Sequence, residues 1–170
     1  LVDTYCGGMR NGKKFKGAIA GGVSMGVLGP DQFDAPMDFD IGRFDVLGLG
    51  TACPTVFDED TDMVAVARNI ARFFKNESCG QCTPCREGSL WLKKITTRMV
   101  HGESRPEDVD LMKSVADQIE GRTICAFGFA VAWPVQSYIK KFEEEFREFA
   151  ERHSNTDVDR TAAKELACNH

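Results

Sequence analysis

Three cysteines at intervals of three residues, Cys79, Cys82 and Cys85, fall within one short stretch, Glu77-Ser-Cys-Gly-Gln-Cys-Thr-Pro-Cys-Arg-Glu-Gly88. Such a segment builds no hydrophobic core: Gly80 and Pro84 favour a turn, and most of its other residues are polar. A turn that delivers three thiolates to one place suits a shared inorganic ligand. A C-x-x-C-x-x-C run fits an iron–sulfur cube, which takes its remaining thiolate from elsewhere. The chain has seven cysteines, the others being Cys6, Cys53, Cys125 and Cys168. An odd count argues against a closed disulfide framework. No charged-then-apolar segment opens the sequence, so a soluble, non-exported chain is expected, and clustered cysteines there point to metal.

Other residues of the motif support a bound polyanion. Gly80 has no Cβ, which is expected to let backbone N–H groups approach the sulfides. Pro84 stiffens the turn. A helix expected just after Cys85 aims its positive end at a net-negative site, and Arg86 adds a charge, making it the candidate residue for tuning the cluster. Cys125 is the best candidate for the fourth ligand. It lies between the third and fourth expected helices, on a connection that returns to the same end of an antiparallel bundle. Its neighbours Ile124, Ala126, Phe127 and Phe129 are expected to form an apolar shell. No histidine is near: His101 ends a helix, and His153 and His170 lie in or beside the C-terminal tail. The candidate metal ligands are therefore Cys79, Cys82, Cys85 and Cys125, with no catalytic residue and no organic-cofactor site. One alternative is a non-redox module whose cluster only staples the helices together; zinc is another, although it prefers two well-separated C-x-x-C pairs. Metal-free cysteines fit a polar loop poorly, and a redox C-x-x-C pair would need a thioredoxin-like setting.

The rest of the chain predicts an α+β fold, mainly α. Its 170 residues are 42% hydrophobic and 28% charged, an ordinary globular composition. A net charge of −5 argues against nucleic-acid binding through bulk electrostatics. Thr123 to Gln136, which lies in the longest uncharged stretch, is too short to span a membrane and contains Pro134. Eleven of the sixteen glycines lie in the first fifty residues. Between them Phe15–Ala20 and Val23–Leu28 read as strands, and Asp31–Asp45 as an acidic surface loop with a strand at its end. Residues 1–57 are thus expected to form a small β-rich unit and linker.

Residues 58–152 are expected to form a four-helix bundle. The first helix starts near Asp60 and carries Met63, Val64, Ala67, Ile70, Ala71 and Phe74 on one stripe. The second runs from just after Cys85 to about Val100, with Trp91, Ile95 and Met99 inward. Ser104 and Glu107 read as a capping box for the third, whose face is Val109, Met112, Val115, Ala116 and Ile119 and whose stop is Gly121. The fourth is expected to begin near Pro134 and bury Val135, Ile139, Phe142, Phe146 and Phe149, with Glu143–Glu145 as a solvated face. Residues 153–170 read as a loose tail. Gly21–Gly26 lacks the spacing of a phosphate-binding loop and reads as turn glycines. Asp31, Asp34, Asp38 and Asp40 do not have calcium-loop spacing and read as solvated surface.

The cysteine motif, together with Ile119-Glu-Gly-Arg-Thr-Ile-Cys-Ala126, Ala132-Trp-Pro-Val-Gln136, Cys6-Gly-Gly8, Met37-Asp-Phe-Asp40 and Leu49-Gly-Thr51, resembles the family of flavin-bearing, NADH-binding F subunits of respiratory complex I. Similar modules occur in the diaphorase subunit of NAD-reducing hydrogenases and the β subunit of NAD-linked formate dehydrogenases. The resemblance spans roughly residues 1–150 and implies a [4Fe–4S] cluster on Cys79, Cys82, Cys85 and Cys125 that takes electrons from FMN after hydride transfer from NADH. It also implies that residues 1–57 are part of a β-grasp-like (soluble-ligand-binding β) domain. FMN and NADH are then expected on a domain outside these residues, on a longer chain or a partner. Implied partners are a [2Fe–2S] thioredoxin-like subunit and a larger multi-cluster iron–sulfur subunit. The implied location is cytoplasmic or on the mitochondrial matrix side, in a peripheral arm that meets the membrane only through the complex. The chain departs from the family at Ala126-Phe-Gly-Phe129, where relatives have Ala-Leu-Gly-Asp; the loss of a carboxylate leaves the ligands intact and bears on the potential.

Overall fold

The computed structural model describes residues 1–154. After a short helix α1 (Val2–Cys6), strand β1 (Phe15–Ile19) pairs antiparallel with β2 (Thr55–Asp58), with Gly17 opposite Phe57 and Ile19 opposite Thr55. A bulge between Phe15 and Gly17 shifts the register at the start of β1. On its other side β1 makes a single bridge, between Ala18 and Leu28. The strand expected over Val23–Leu28 reduces to that bridge, because Val23–Met25 turns as a 3-10 segment closed by Gly26 at φ 92°. The acidic loop likewise ends in a 3-10 run, Phe39–Phe44, not a strand. Asp38 caps that run by accepting the Asp40 N–H, and the chain becomes extended only at the β-branched Thr55-Val56. Asp31, Asp34, Asp38 and Asp40 are all exposed.

Four long helices follow. Helix α2 (Met63–Glu77) starts at Asp62, whose carboxylate accepts the Val64 and Ala65 N–H groups, and its six expected stripe residues are all buried. Helix α3 (Thr83–Val100) begins two residues before Cys85, so that cysteine sits inside its first turn. The inward stripe contains Leu92, Ile95 and Met99; Trp91, expected inward, is 52% exposed, because Leu92 continues the spacing from Cys85 and Ser89. Helix α4 (Asp108–Ile119) buries the expected five residues, and Gly121 at φ 70° turns the chain after it. The Ser104–Glu107 capping box does not form: the Ser104 hydroxyl is buried and donates to the Ala150 carbonyl. Helix α5 (Phe127–Ser154) begins seven residues before Pro134, and its backbone is interrupted not at the proline but at Phe142 (φ −129°, ψ 29°). There the Phe142 ring lies against Gly17 of β1.

Helix α2 packs on α3 and α5, α4 on α3 and α5, and α3 on α5, enclosing one core. Ile19, Val27 and Phe57 from the N-terminal segment enter that same core, and Ala18, Ala20, Leu28, Ile41 and Val46 form a second, smaller one. Glu145 joins three elements: it pairs with Lys16 at 2.9 Å and accepts the Met63 N–H at the start of α2 at 3.0 Å. It is not part of a solvated face, as expected from its neighbours, because α5 turns it toward the first turn of α2. Helix α5 runs through His153 and Ser154, and the rest of the expected tail, with Cys168, lies outside the described residues. Among the described residues no helix is long and apolar enough to cross a membrane.

Candidate metal centre

The loop from Ser78 to Cys82 links α2 to α3, and the loop over residues 120–126 links α4 to α5. Both reach the N-terminal end of α3. Cys79, Cys82, Cys85 and Cys125 line one pocket of about 200 Å³ there, together with Ser78, Gln81, Thr123 and Phe127. All four thiols are free; Cys85 is buried, Cys82 half-buried, and Cys79 and Cys125 exposed. Cys82 is the N-cap of α3, so the positive end of that helix's dipole lies at the pocket. Gly80 is needed for its backbone rather than for close approach: its φ is 80°, and an added Cβ would meet nothing nearer than Arg86 Cδ at 3.7 Å.

The sulfurs already have polar company. The Ser78 hydroxyl is 3.3 Å from Cys85 Sγ, and the Gly80 N–H donates to the same hydroxyl at 3.4 Å. The Ile124 N–H donates to Cys82 Sγ at 3.5 Å. Burial pushes the Cys85 thiol up from its ordinary value, the Ser78 hydrogen bond pulls it down, and charge on Cys125, Cys79 and Cys82 pushes it up again. Four thiolates facing one another are costly without a cation between them, and iron bound in their midst removes that cost. Four soft donors, a helix N-terminus and one apolar wall therefore fit a thiolate-bound cluster.

Several neighbours differ from the sequence expectation. Ile124 contributes its N–H, not an apolar cover, since it is 88% exposed. The wall is Phe127, packed edge-on against Phe74 with centroids 5.7 Å apart, while Phe129 turns to Trp133. The Arg86 guanidinium does not point freely at the pocket: it donates to the Gly80 carbonyl at 3.0 Å and to Glu87 at 2.9 Å. It braces the cysteine loop against the first turn of α3. Thr123 was not singled out by the sequence. It occupies the space over Gly128, where a Cβ would come within 2.1 Å of its hydroxyl, a contact between loop and helix that no periodicity reveals. His101 caps the far end of α3. A larger cleft of about 530 Å³ beside β1 is lined by Asp3 and Asp34 but by no thiol. Cys6 and Cys53 are exposed and outside the pocket.

Comparison with known proteins gives this pocket a family. Residues 65–149 match the model described as the NADH-ubiquinone oxidoreductase-F iron-sulfur binding region, which takes in all four pocket cysteines. The chain is 47% identical over 150 residues to NADH dehydrogenase [ubiquinone] flavoprotein 1, mitochondrial, of Dictyostelium discoideum, covering 87% of this chain and 31% of that protein. It is 42% identical over 159 residues to the mitochondrial NADH-ubiquinone oxidoreductase 51 kDa subunit of Neurospora crassa, covering 90% and 32%. Among solved structures it resembles a chain of the NAD+-reducing [NiFe]-hydrogenase in the H2-reduced state, with a TM-score of 0.71 and 25% identity over 91% of this chain and 27% of that one. The chain spans about a third of the length of the curated relatives it matches. With half of its residues matched and the cysteine pocket inside the match, the chain belongs to the NADH-ubiquinone oxidoreductase F family, of which it carries the iron–sulfur binding region.

Proposed function

We propose that this chain is an electron-relay segment of an NADH-oxidising complex, with Cys79, Cys82, Cys85 and Cys125 holding a [4Fe–4S] cluster. The observation that carries the reading is the convergence of these four thiols, from two loops far apart in sequence, on one pocket. When bound, such a cluster supplies one-electron redox chemistry. The protein's part is to hold the thiolates, to present the α3 N-terminus and the Ser78 and Ile124 donors to the sulfurs, and to limit water on the Phe127 side. The four long helices act as a bundle that fixes the two loops relative to each other, and residues 1–57 act as part of a β-grasp-like unit.

A single zinc ion is a poorer occupant. Zinc prefers two well-separated C-x-x-C pairs, whereas three of these cysteines fall within seven residues and the fourth lies forty residues further on. FMN and NADH act on another part of the protein or on a partner. A [2Fe–2S] thioredoxin-like subunit and a multi-cluster iron–sulfur subunit are the neighbouring electron carriers. The complex lies in the cytoplasm or on the matrix side, and a quinone-linked system is the reading suggested by the NADH-ubiquinone oxidoreductase relatives.

Anaerobic reconstitution of the chain with iron and sulfide, followed by metal analysis and an EPR-monitored redox titration, tests the reading. About four iron and four acid-labile sulfide per chain with a reversible one-electron signal is expected. Zinc without sulfide, or a cluster that does not titrate, would overturn it. In the same titration Arg86→Gln is expected to shift the midpoint negative by a few tens of millivolts with iron retained. A reduced cluster carries one more negative charge, which a cation stabilises, but Glu87 offsets part of that cation. A midpoint that stays put or moves positive would assign Arg86 only the bracing of Gly80.

A further inference from the structure

Cys79, Cys82 and Cys85 are held by the end of α2 and the first turn of α3. Cys125 instead depends on how the connection over residues 120–126 is seated. Glu120 begins that connection, and both of its oxygens are tied to α5: Oε1 accepts from Trp133 Nε1 at 2.7 Å, and Oε2 accepts from Gln136 Nε2 at 2.9 Å. Gln136 Nε2 also donates to Asp117 at the end of α4, at 2.8 Å. Trp133 and Gln136 are one turn apart on α5, so one carboxylate bridges two donors on one helix face. The Trp133 ring is itself packed against Phe129, with centroids 5.2 Å apart. Immediately after Glu120, Gly121 at φ 70° supplies a sharp bend. Three residues later the Ile124 N–H meets Cys82 Sγ.

The geometry points to Glu120 as a positioning residue for the fourth ligand: its carboxylate clamps the α4–α5 connection to α5 and thereby sets where the Cys125 thiolate is delivered. The inference rests on Cys125 being a ligand. It also gives a role to Glu120 and to Ala132–Gln136, for which the cysteine chemistry alone has no use, since both donors to the Glu120 carboxylate lie in that stretch. Hydrogen bonds to a charged acceptor are the strong kind, and two on one carboxylate fix its direction as well as its distance. Without them the connection is free to hinge at Gly121, and the ordering of Cys125 becomes a cost of cluster binding.

The test uses the full chain, reconstituted in parallel as the unsubstituted protein, Glu120→Ala, Cys125→Ser, and the double variant Trp133→Phe/Gln136→Met, which removes both donors and keeps the carboxylate. Iron release to a chelator, EPR of the oxidised protein and far-UV circular dichroism are read together. Glu120→Ala is expected to release iron about tenfold faster or more, as the loss of two charge-assisted hydrogen bonds predicts. Its oxidised form is expected to show the signal of a cluster that has lost iron, as Cys125→Ser does, with helicity unchanged. The double variant is expected to behave alike. Release at the unsubstituted rate in either variant, or loss of iron only in step with loss of helicity in both, overturns the positioning role. Full iron retention by Cys125→Ser overturns the ligand reading itself; iron loss there with Glu120→Ala and the double variant unaffected overturns the clamp alone.

Discussion

Serine at Cys79, Cys82, Cys85 or Cys125 is expected to lower cluster affinity more than about 100-fold, because even the partners of a ligand contribute roughly 10–100-fold. Serine at Cys6 or Cys53 should leave iron content unchanged, since both are exposed and outside the pocket. The four variants should also differ from one another. Cys85 is buried in the helical core and touches the Ser78 hydroxyl, so its substitution should lower the melting temperature even without iron. Cys79 and Cys125 are exposed, and their substitution should leave the iron-free chain as stable as before. Binding and folding are coupled, so the holo-protein melt should fall in all four. Iron analysis with paired melts of the iron-free and loaded forms checks this; unchanged iron in the Cys125 variant would remove it from the ligand set.

The second large effect lies at the opposite end of α3. Asp108 has no exposed side-chain surface and pairs through both oxygens with Arg98, with Nε at 3.0 Å, while its Oδ2 also accepts the Arg105 N–H at 2.9 Å. Asp108→Ala leaves a partly buried guanidinium and an N–H without their acceptor, which is expected to cost about 3 kcal/mol. For a chain of this size that corresponds to a fall of roughly 6–12 °C in Tm. The site is about 20 Å along α3 from the cysteines, so the midpoint potential should not change. A melt within about 2 °C of the unsubstituted protein would mean that the pair contributes little net stability, as some buried ion pairs do. Taken with the cysteine series, this variant separates loss of the fold from loss of the cluster.

The helical stripes were legible because burial on one face of a helix imposes a period on the sequence. The stripes of α2 and α4 matched that period residue for residue. The same logic failed where one side chain faced two plausible choices. Trp91 and Leu92 are adjacent, and only the neighbouring helices decide which turns inward. Element starts were less legible still. Proline read as a helix start at position 134, yet α5 begins at Phe127 and accommodates it. Ser104 looked like a cap by composition, but its hydroxyl serves a carbonyl 46 residues away. In the glycine-rich segment no period existed to read, and the strand expected at Val23–Leu28 came down to one bridge.

Donor chemistry was set by the sequence alone: three thiols at fixed short spacing, a fourth on a second turn, and a family motif around each. These features are local, and local backbone geometry suffices to bring three thiols of one turn together. What the tertiary structure decided is everything that depends on two distant segments meeting. It placed Cys125 on the same pocket as the other three, turned Ile124 outward so that its N–H rather than its side chain meets a sulfur, and set Thr123 over Gly128. It also directed Arg86 to Gly80 and Glu87 and tied Glu120 to α5. Side-chain direction depends on which surfaces the packed helices leave open and which donors and acceptors would otherwise be unpaired, and neither is a property of neighbouring residues in the chain.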